Sequence, residues 1–220
     1  MTRRTYDQYC PVAGALDLVG ERWTLLIVRE MMRGPARFTD LRASLDGVPP
    51  NLLAGRLREL ESEGLVARRE LPPPAARTVY ELTQDGWALE PVLRALVHWG
   101  MARMPPPDEV EIDPGGAVRS TLWAYARPKA AGSPGRTWSV TVDDESFTLQ
   151  LKNGRIACRP GAPEHADLTV TVGAADLFRY RQSQVRPLLR YDPEDPALVA
   201  EFEAVFNLAE PTLAGASPSA

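Results

Sequence analysis

The spacing of hydrophobic residues changes near Gly64 of this 220-residue chain. Before Gly64, apolar residues recur at the intervals that place them on one face of an α-helix. After it come two short strand-like runs, residues 65–71 and 77–83, which are separated by the sequence PPPAA. Two such runs with a short connection predict a β-hairpin with a protruding tip. The first part of the chain is therefore expected to fold as several helices followed by a hairpin.

Proline and glycine residues divide the helical part into segments, because proline suits the start of a helix and glycine suits its end. A further apolar stripe after the hairpin predicts one more helix. The predicted helices are one opened by Pro11 and ended by Gly20, one over Arg22–Arg33, a short one over 38–45, one opened by Pro50 and ended by Gly64, and one over Gln84–Arg103.

A stretch of proline and acidic residues, Met104–Gly116, divides the chain. Its consecutive prolines stiffen the backbone, and its acidic residues keep it in solvent. We therefore predict a linker over 105–116 between a first domain of residues 1–104 and a second domain of residues 117–210. Residues 211–220 are mostly small and predict a disordered tail.

The second domain contains segments in which apolar and polar residues alternate, the pattern of strands with one buried face. Turns are expected at Asp143-Asp144 and Asn153-Gly154. Helices are predicted over Ala117–Ala126, after Gly173, and over Pro196–Leu208. The fold class of the whole chain is therefore α+β, and the second domain is predicted to be an antiparallel, meandering sheet with helices on one face.

Composition and missing motifs exclude several classes of protein. Two cysteines and two histidines exclude a disulfide scaffold and disfavour a His/Cys zinc site. Met1–Cys10 lacks the apolar core of a signal peptide, and the longest aliphatic run, Trp23–Val28, is too short to cross a bilayer. The motifs G-x-G-x-x-G, H-E-x-x-H and G-x-S-x-G and the P-loop are absent from the sequence. We therefore expect a cytoplasmic protein that is not an enzyme and has neither a metal nor a cofactor.

The helix opened by Pro50 has the polarity of a DNA recognition helix. Its buried stripe is predicted to be Leu53, Leu57 and Leu60. Arginines precede glutamates along it, and the N-terminal half of such a helix enters the major groove. Asparagine and arginine pair with adenine and guanine edges. The candidate DNA contacts are Asn51, Gly55 and Arg58 on the outer face, Leu52 and Arg56 on the flanks, and Arg68, Arg69 and Arg77 in the hairpin. The alternative is a solvated arginine face without a ligand.

The region Cys10–Met104 resembles the HxlR-type winged helix-turn-helix transcriptional regulators. The matching segments are YCPVAGALDLVGERWTLLIVREMMRGPARFTDLRASL, VPPNLLAGRLRELESEGLVARR and TVYELTQDG. The resemblance implies a homodimer that is built through the first and last helices of the domain and binds a palindromic operator. The apolar residues of the last helix available for this contact are Leu89, Leu93, Leu96 and Trp99. The wing tip PPPAA lacks the basic residues often present in the family, so Arg77 is the best remaining phosphate contact there.

The second domain resembles the sterol-carrier-like lipid-binding domains, in its meander and in the segments DLTVTVGAADLFRY and DPALVAEFEAVF. This resemblance implies an apolar cavity. Because the domain is rich in aromatic residues and follows a stiff linker, we also expect an apolar small-molecule effector. The alternative for the same aromatic residues is an ordinary core. The alternative function is a small-molecule or lipid-binding protein that uses the winged helix only to dimerise. The candidate pocket residues are Trp123, Trp138, Phe147, Phe178, Phe202 and Phe206.

Cys10 is a candidate redox-sensitive thiol, because it directly precedes Pro11 at the start of the first helix. A helix N-terminus favours the reactive thiolate, and some members of the resembling family sense oxidants through a cysteine at this position. Asp7 opposes thiolate formation. A plain helix cap or a packed side chain is the alternative. Cys158 alternates inward on a strand and is expected to lie in the core.

Overall fold

The chain forms two compact units, Met1–Leu93 and Arg94–Ala220, which we describe separately. The division falls inside the predicted last helix of the first domain, before the predicted linker, and the proposed functional division at residues 105–116 stays a prediction. The wing-tip residues 73–76, Asn153 and the predicted tail lie outside the described residues. The computed structural model describes residues 5–72, 77–131, 135–152, 154–183 and 185–208.

In the first unit, helices precede a hairpin, as predicted. The hairpin is antiparallel, with Val66 opposite Leu82 and Leu71 opposite Arg77. The last helix, α6, extends past the end of this unit. The elements are α1 (Pro11–Val19), α2 (Thr24–Met31), α3 (Phe38–Ser44), α4 (Pro50–Ser62), β1 (Val66–Leu71), β2 (Arg77–Leu82), α5 (Gln84–Trp87) and α6 (Glu90–Met101).

The core of the first unit is built from α2, α3 and α4. Ile27, Val28 and Met31 of α2 have no exposed surface, which explains the apolar run in this helix. Leu41 of α3 is also buried. The predicted stripe of α4 is confirmed, because all three of its leucines are buried, namely Leu53, Leu57 and Leu60.

The junction between α4 and β1 requires two glycines. Gly64 has a φ of 71°, and its N–H donates to the carbonyl of Glu61 while the N–H of Leu65 donates to that of Leu60. This paired arrangement is a common helix end. Gly86 of α5 packs so closely that an added Cβ would lie 2.1 Å from the carbonyl oxygen of Leu65. The two glycines together fix the point at which the hairpin begins.

The single helix predicted over Gln84–Arg103 is wrong, because the chain forms α5 and α6 with a break between them. Pro91 has no N–H to donate to the carbonyl of Trp87, so a continuous helix would leave that group without its usual donor. Near the start of α6 the missing N–H costs little, since the first N–H groups of a helix have no partner within it.

The second unit contains a five-stranded sheet in the order β5-β4-β3-β6-β7. The prediction of an antiparallel meander is wrong, because β3 and β6 pair in parallel and the sheet is mixed. The strand β7 was not predicted. The elements are α7 (Pro114–Ala117), β3 (Thr137–Val142), β4 (Glu145–Lys152), β5 (Arg155–Pro160), β6 (Leu168–Val172), α8 (Ala174–Ser183), β7 (Arg190–Asp192) and α9 (Pro196–Val205).

Two features account for the parallel pairing. The apolar residues of β6, Leu168, Val170 and Val172, are buried, whereas β5 carries charged residues suited to a sheet edge. Asp167 then aligns β6 with β3. Its N–H donates to the carbonyl of Thr137, and its carboxylate accepts the N–H of Thr137, both at 2.8 Å.

The helix predicted over Ala117–Ala126 begins earlier and is irregular. The side chain of Asp113 accepts the N–H of Gly116 and so caps α7. The chain continues as a π-helical turn over Val118–Leu122 and a 3₁₀ turn over Trp123–Tyr125. The predicted last helix begins at Pro196 as expected, where Asp195 accepts the N–H groups of Ala197 and Leu198, and α9 ends at Val205.

A buried arginine ties this irregular segment to the end of α9. Arg181 is 6% exposed and donates to the carbonyls of Thr121, Phe206 and Asn207. Its guanidinium lies 3.9 Å from the ring centre of Tyr125. Burial lowers the pKa of Arg181 to about 10. The carbonyl groups satisfy the hydrogen-bonding capacity of a cation that would otherwise be costly to bury.

Candidate nucleic-acid interface

Helices α3 and α4 with their short connection form the helix-turn-helix. The carboxylate of Asp40 accepts the N–H of Arg37 at the start of α3. Gly47 has a φ of 77° in the connection, a conformation that favours glycine. Val48 is buried, and its N–H donates to the carbonyl of Leu45. These contacts set the direction in which α4 begins.

The outer face of α4 carries two of the predicted base contacts. Asn51 and Arg58 are exposed, whereas Leu52 is half-buried. Gly55 has open space where a Cβ would be, so a DNA backbone or base edge can approach the helix closely there. The Nε of Arg58 donates to the carbonyl of Ala54 at 3.2 Å, which directs this side chain along the helix towards its N-terminal half.

Arg56 differs from Asn51 and Arg58, which are exposed. Its Nη2 lies 2.9 Å from Glu21 Oε2, and its Nη1 pairs with the carboxylate of Glu59. Its side chain is only 17% exposed. Glu21 is the one member of this group that sequence reasoning missed, because it lies far away in the sequence and no local pattern connects it to α4.

The predicted arginines of the hairpin lie on both of its strands. Arg69 pairs with Glu81 at 3.1 Å, and Arg68 lies 3.9 Å from Glu70. Arg77 is exposed and stands opposite Leu71 at the end of the strand pair nearest the tip. An exposed arginine therefore stands at this end of the hairpin, although the tip sequence PPPAA contains none.

The hairpin is attached to the helix-turn-helix by a short bridge that the sequence did not predict. The N–H of Ala36 donates to the carbonyl of Tyr80 at 2.9 Å, and the N–H of Tyr80 donates to that of Ala36 at 2.8 Å. Ala36 lies just before α3. The bridge therefore fixes the hairpin relative to the start of α3.

The two cysteines differ in accessibility. Cys10 is exposed, and Cys158 is half-buried. Cys10 stands at the N-cap of α1, and its side chain does not cap the helix. Cys158 lies opposite Leu149 in the sheet and is less buried than predicted, because β5 is an edge strand.

We expect Cys10 to react before Cys158 in the native protein. An alkylating reagent reaches an exposed thiol directly, whereas a half-buried thiol in a sheet reacts more slowly. Brief treatment with iodoacetamide at neutral pH, followed by peptide mass spectrometry, measures both sites. Labelling in denaturant is the control and should equalise them. Faster native labelling of Cys158 would contradict the expectation.

The predicted pocket residues of the second unit are all buried. Three of them contact one another. The ring centres of Phe202 and Phe206 are 4.7 Å apart, and that of Trp138 lies 5.2 Å from Phe206 and 6.2 Å from Phe202. These contacts fit the core interpretation of that group, and the apolar cavity stays a prediction. The buried set is Trp123, Trp138, Phe147, Phe178, Phe202 and Phe206.

Two features are absent from the part of the chain that the structure describes. Within it, no helix is both long enough and apolar enough to cross a membrane. The same residues contain no group of three or more His, Cys, Asp or Glu side chains arranged to hold a metal ion.

Comparisons with known proteins concern the first half of the chain. Residues 18–108 match the family described as HxlR-like helix-turn-helix. The chain is 37% identical over 94 residues to YvaP, an HTH-type transcriptional regulator of Bacillus subtilis. This match covers 42% of this chain and 87% of YvaP. It is 35% identical over 102 residues to YodB, an HTH-type transcriptional regulator of the same organism. This match covers 46% of this chain and 91% of YodB.

Among solved structures, the chain is similar to the reduced form of YodB from B. subtilis. The sequences are 34% identical, the match covers 45% of this chain and 98% of that one, and the TM-score is 0.40. The sequence matches to YvaP and YodB each cover most of the relative's own length.

Proposed function

Because this chain belongs to the HxlR family of helix-turn-helix transcriptional regulators, we propose that it acts as a homodimer on a palindromic operator. The family consists of DNA-binding regulators and not of enzymes. The proposal has three parts. It names the residues that contact DNA, it places the dimer interface, and it gives the second unit an influence on DNA binding.

The observation that carries the proposal is the division of α4 into two faces. Leu53 and Leu57 are buried, while Asn51 and Arg58 are exposed on the other side of the helix. In this proposal Asn51 and Arg58 contact base edges in the major groove, and Gly55 permits close approach. Asparagine and arginine are suited to this because each can form two hydrogen bonds with one base.

The wing has a different role in the proposal. Arg68, Arg69 and Arg77 contact phosphates, which fixes the orientation of the protein but carries no sequence information. Arg69 and Arg68 lie near carboxylates that reduce their net charge. Arg77 is exposed at the end of the strand pair nearest the tip, and this position is the reason for assigning it the main phosphate contact.

The proposed dimer uses apolar residues that α6 exposes. Val92, Leu96 and Trp99 are 45%, 45% and 62% exposed. Leu93, which we predicted to take part, is 6% exposed and belongs to the core of one chain. Val12 and Leu16 of α1 are also exposed and are the second candidate part of the contact.

We expect Leu96→Glu to shift the protein from dimer to monomer, because it places a charge in an apolar interface that excludes water. Sedimentation velocity at micromolar concentrations measures the change. Leu188→Glu is the matched control, since Leu188 is an exposed leucine outside α1 and α6. A wild-type monomer, or equal effects of both variants, would contradict the proposed interface.

The second unit is proposed to influence DNA binding through α6. Arg94 of α6 donates to the carbonyls of Ala124 and Ala126, and the ring nitrogen Nε2 of His98 lies 3.1 Å from the carbonyl oxygen of Ala124. A ligand that changed the segment 123–126 would act directly on the helix assigned to the dimer. Such a ligand would alter operator affinity only if it bound the free and DNA-bound states differently.

Selection of bound fragments from genomic DNA by the purified full-length protein tests the function. The expected product is an inverted repeat whose half-sites lie one turn, about 34 Å, apart, because two recognition helices in a dimer enter successive major grooves. Recovery of fragments without a shared sequence would contradict the proposal. Binding of a single unrepeated half-site would contradict the dimer alone.

A further inference from the structure

We propose that Arg56 is a positioning residue, which sets the rotation of the recognition helix α4 through Glu21 and makes no contact with DNA. The inference rests on the proposed function, because it assigns a role within the same DNA-binding surface. It also replaces the sequence-based expectation that Arg56 lies on the DNA.

The contacts of Arg56 are the first argument. One end of its guanidinium pairs with Glu21, which lies outside α4, and the other end pairs with Glu59, one turn further along α4. Its Nε is buried, and among the described residues this nitrogen has no hydrogen-bond partner. The side chain is 17% exposed. A guanidinium held in this way presents little of its charge or surface to a phosphate.

The position of Glu21 is the second argument. Glu21 lies in the connection between α1 and α2, where its carbonyl accepts the N–H of Thr24. Trp23 in the same connection has a φ of 78°. A bulky residue adopts this left-handed conformation only where its surroundings impose it. Glu21 therefore belongs to a connection of specified conformation and offers α4 a fixed point of attachment.

The buried face of α4 is apolar. Contacts made by Leu53, Leu57 and Leu60 are strong but non-directional, so a helix can rotate slightly about its axis with little loss of burial. Such a rotation would move Asn51 and Arg58 away from base edges, since hydrogen bonds depend on angle. The ion pair between Arg56 and Glu21 is directional and resists it.

For the effect of Glu21→Gln on DNA affinity, the proposal and simple electrostatics predict opposite changes. Glu21→Gln removes a negative charge from a DNA-binding unit, which by charge alone raises the affinity for DNA. If Glu21 positions α4 through Arg56, the same change lowers the affinity for the specific sequence. Affinity for unrelated DNA falls much less, because phosphate contacts do not depend on the rotation of α4 to the same extent.

The test uses the full-length protein and a duplex selected from a random-sequence library by the wild type, with a scrambled duplex of equal length. Glu21→Gln and Arg56→Gln are each expected to lower affinity for the selected duplex about fivefold. The double variant should lose no more than Arg56→Gln alone, because Arg56→Gln already breaks the contact that Glu21→Gln removes. Glu61→Gln, which removes an exposed carboxylate of α4, is the matched control and should not lower affinity.

Salt dependence separates positioning from direct contact. A phosphate contact contributes about 0.9 to the slope of log affinity against log salt concentration. The proposal expects Arg56→Gln to leave this slope unchanged and Arg56→Lys to restore little affinity, since an ammonium lacks the fork that bridges two carboxylates. A smaller slope in Arg56→Gln, full rescue by Arg56→Lys, or higher affinity in Glu21→Gln would overturn it.

Hydrogen exchange of the free protein gives an answer that does not depend on DNA. Glu21→Gln is expected to increase amide exchange in residues 50–62. Adding Arg56→Gln to Glu21→Gln should not increase the exchange further. Unchanged exchange in both variants would overturn the positioning role. Failure of the wild type to select any sequence would instead contradict the proposed function, and the exchange measurement would still decide the role of Arg56.

Discussion

Arg58→Ala is expected to lower affinity for the selected operator by about 1–3 kcal/mol and to relax the sequence preference at one position of each half-site. The reason is the geometry of the side chain. Its Nε donates to Ala54, and within the described part of the chain no partner is found for its two terminal NH₂ groups. These groups can therefore form the paired hydrogen bonds that guanine accepts.

The control for this prediction is Arg77→Ala, which also removes one exposed arginine. We expect it to weaken binding to all sequences similarly and to lower the salt slope, as for loss of a phosphate contact. Binding measured at several salt concentrations on the selected and scrambled duplexes distinguishes the two effects. Unchanged operator affinity in Arg58→Ala would mean that another face of α4 meets the DNA.

The face of α4 could be predicted from sequence because it depends on local periodicity. The leucines that the helical spacing places inside are the ones that are buried, and this in turn fixes which residues are exposed. The position of Arg56 on the flank was also predicted. Its partner was not, because Glu21 reaches it from a different part of the chain, and the pairing of two charged side chains across a fold leaves no periodic signal.

The order of the strands in the sheet of the second unit could not be predicted from sequence either. The alternation of residues 138–142 and 168–172 predicts strands and their buried faces, and these residues do form β3 and β6. Alternation contains no information on which strand lies beside which. The parallel pairing depends on contacts of Asp167 with Thr137, which are specific to the folded arrangement.

Other differences did have a signal in the sequence. Pro91 marks the break before α6, because proline lacks the N–H that a continuous helix needs. The charged residues of β5 mark an edge strand, which is why Cys158 is only half-buried. In both cases the local signal outweighs the apolar pattern around it.

Phe202→Ala is expected to destabilise the second unit by about 3–5 kcal/mol, the usual cost of truncating a fully buried phenylalanine. Phe202 has no exposed surface, and its ring contacts those of Trp138, Phe206 and Tyr191. Removal of the ring takes away contacts on several sides at once and leaves a cavity that these rigid neighbours cannot readily fill. Urea denaturation of the full-length protein, followed by near-ultraviolet circular dichroism, measures the change in the free energy of unfolding.

Leu188→Ala is the control, because Leu188 is 72% exposed in the same unit and its truncation should cost less than about 0.5 kcal/mol.

The same variants separate a filled core from a ligand pocket. If the aromatic residues form only a core, apolar compounds should leave the melting temperature of the wild type unchanged, whereas the cavity in Phe202→Ala should admit them and regain stability. If they line a natural pocket, the loss in Phe202→Ala should be well below 3 kcal/mol, and apolar compounds should already stabilise the wild type. That second outcome would support an effector, because a ligand bound at Phe202 and Phe206 would lie next to the carbonyl of Phe206 that accepts a hydrogen bond from Arg181. Arg181 also binds Thr121, so the effect of the ligand could extend to the segment that contacts α6.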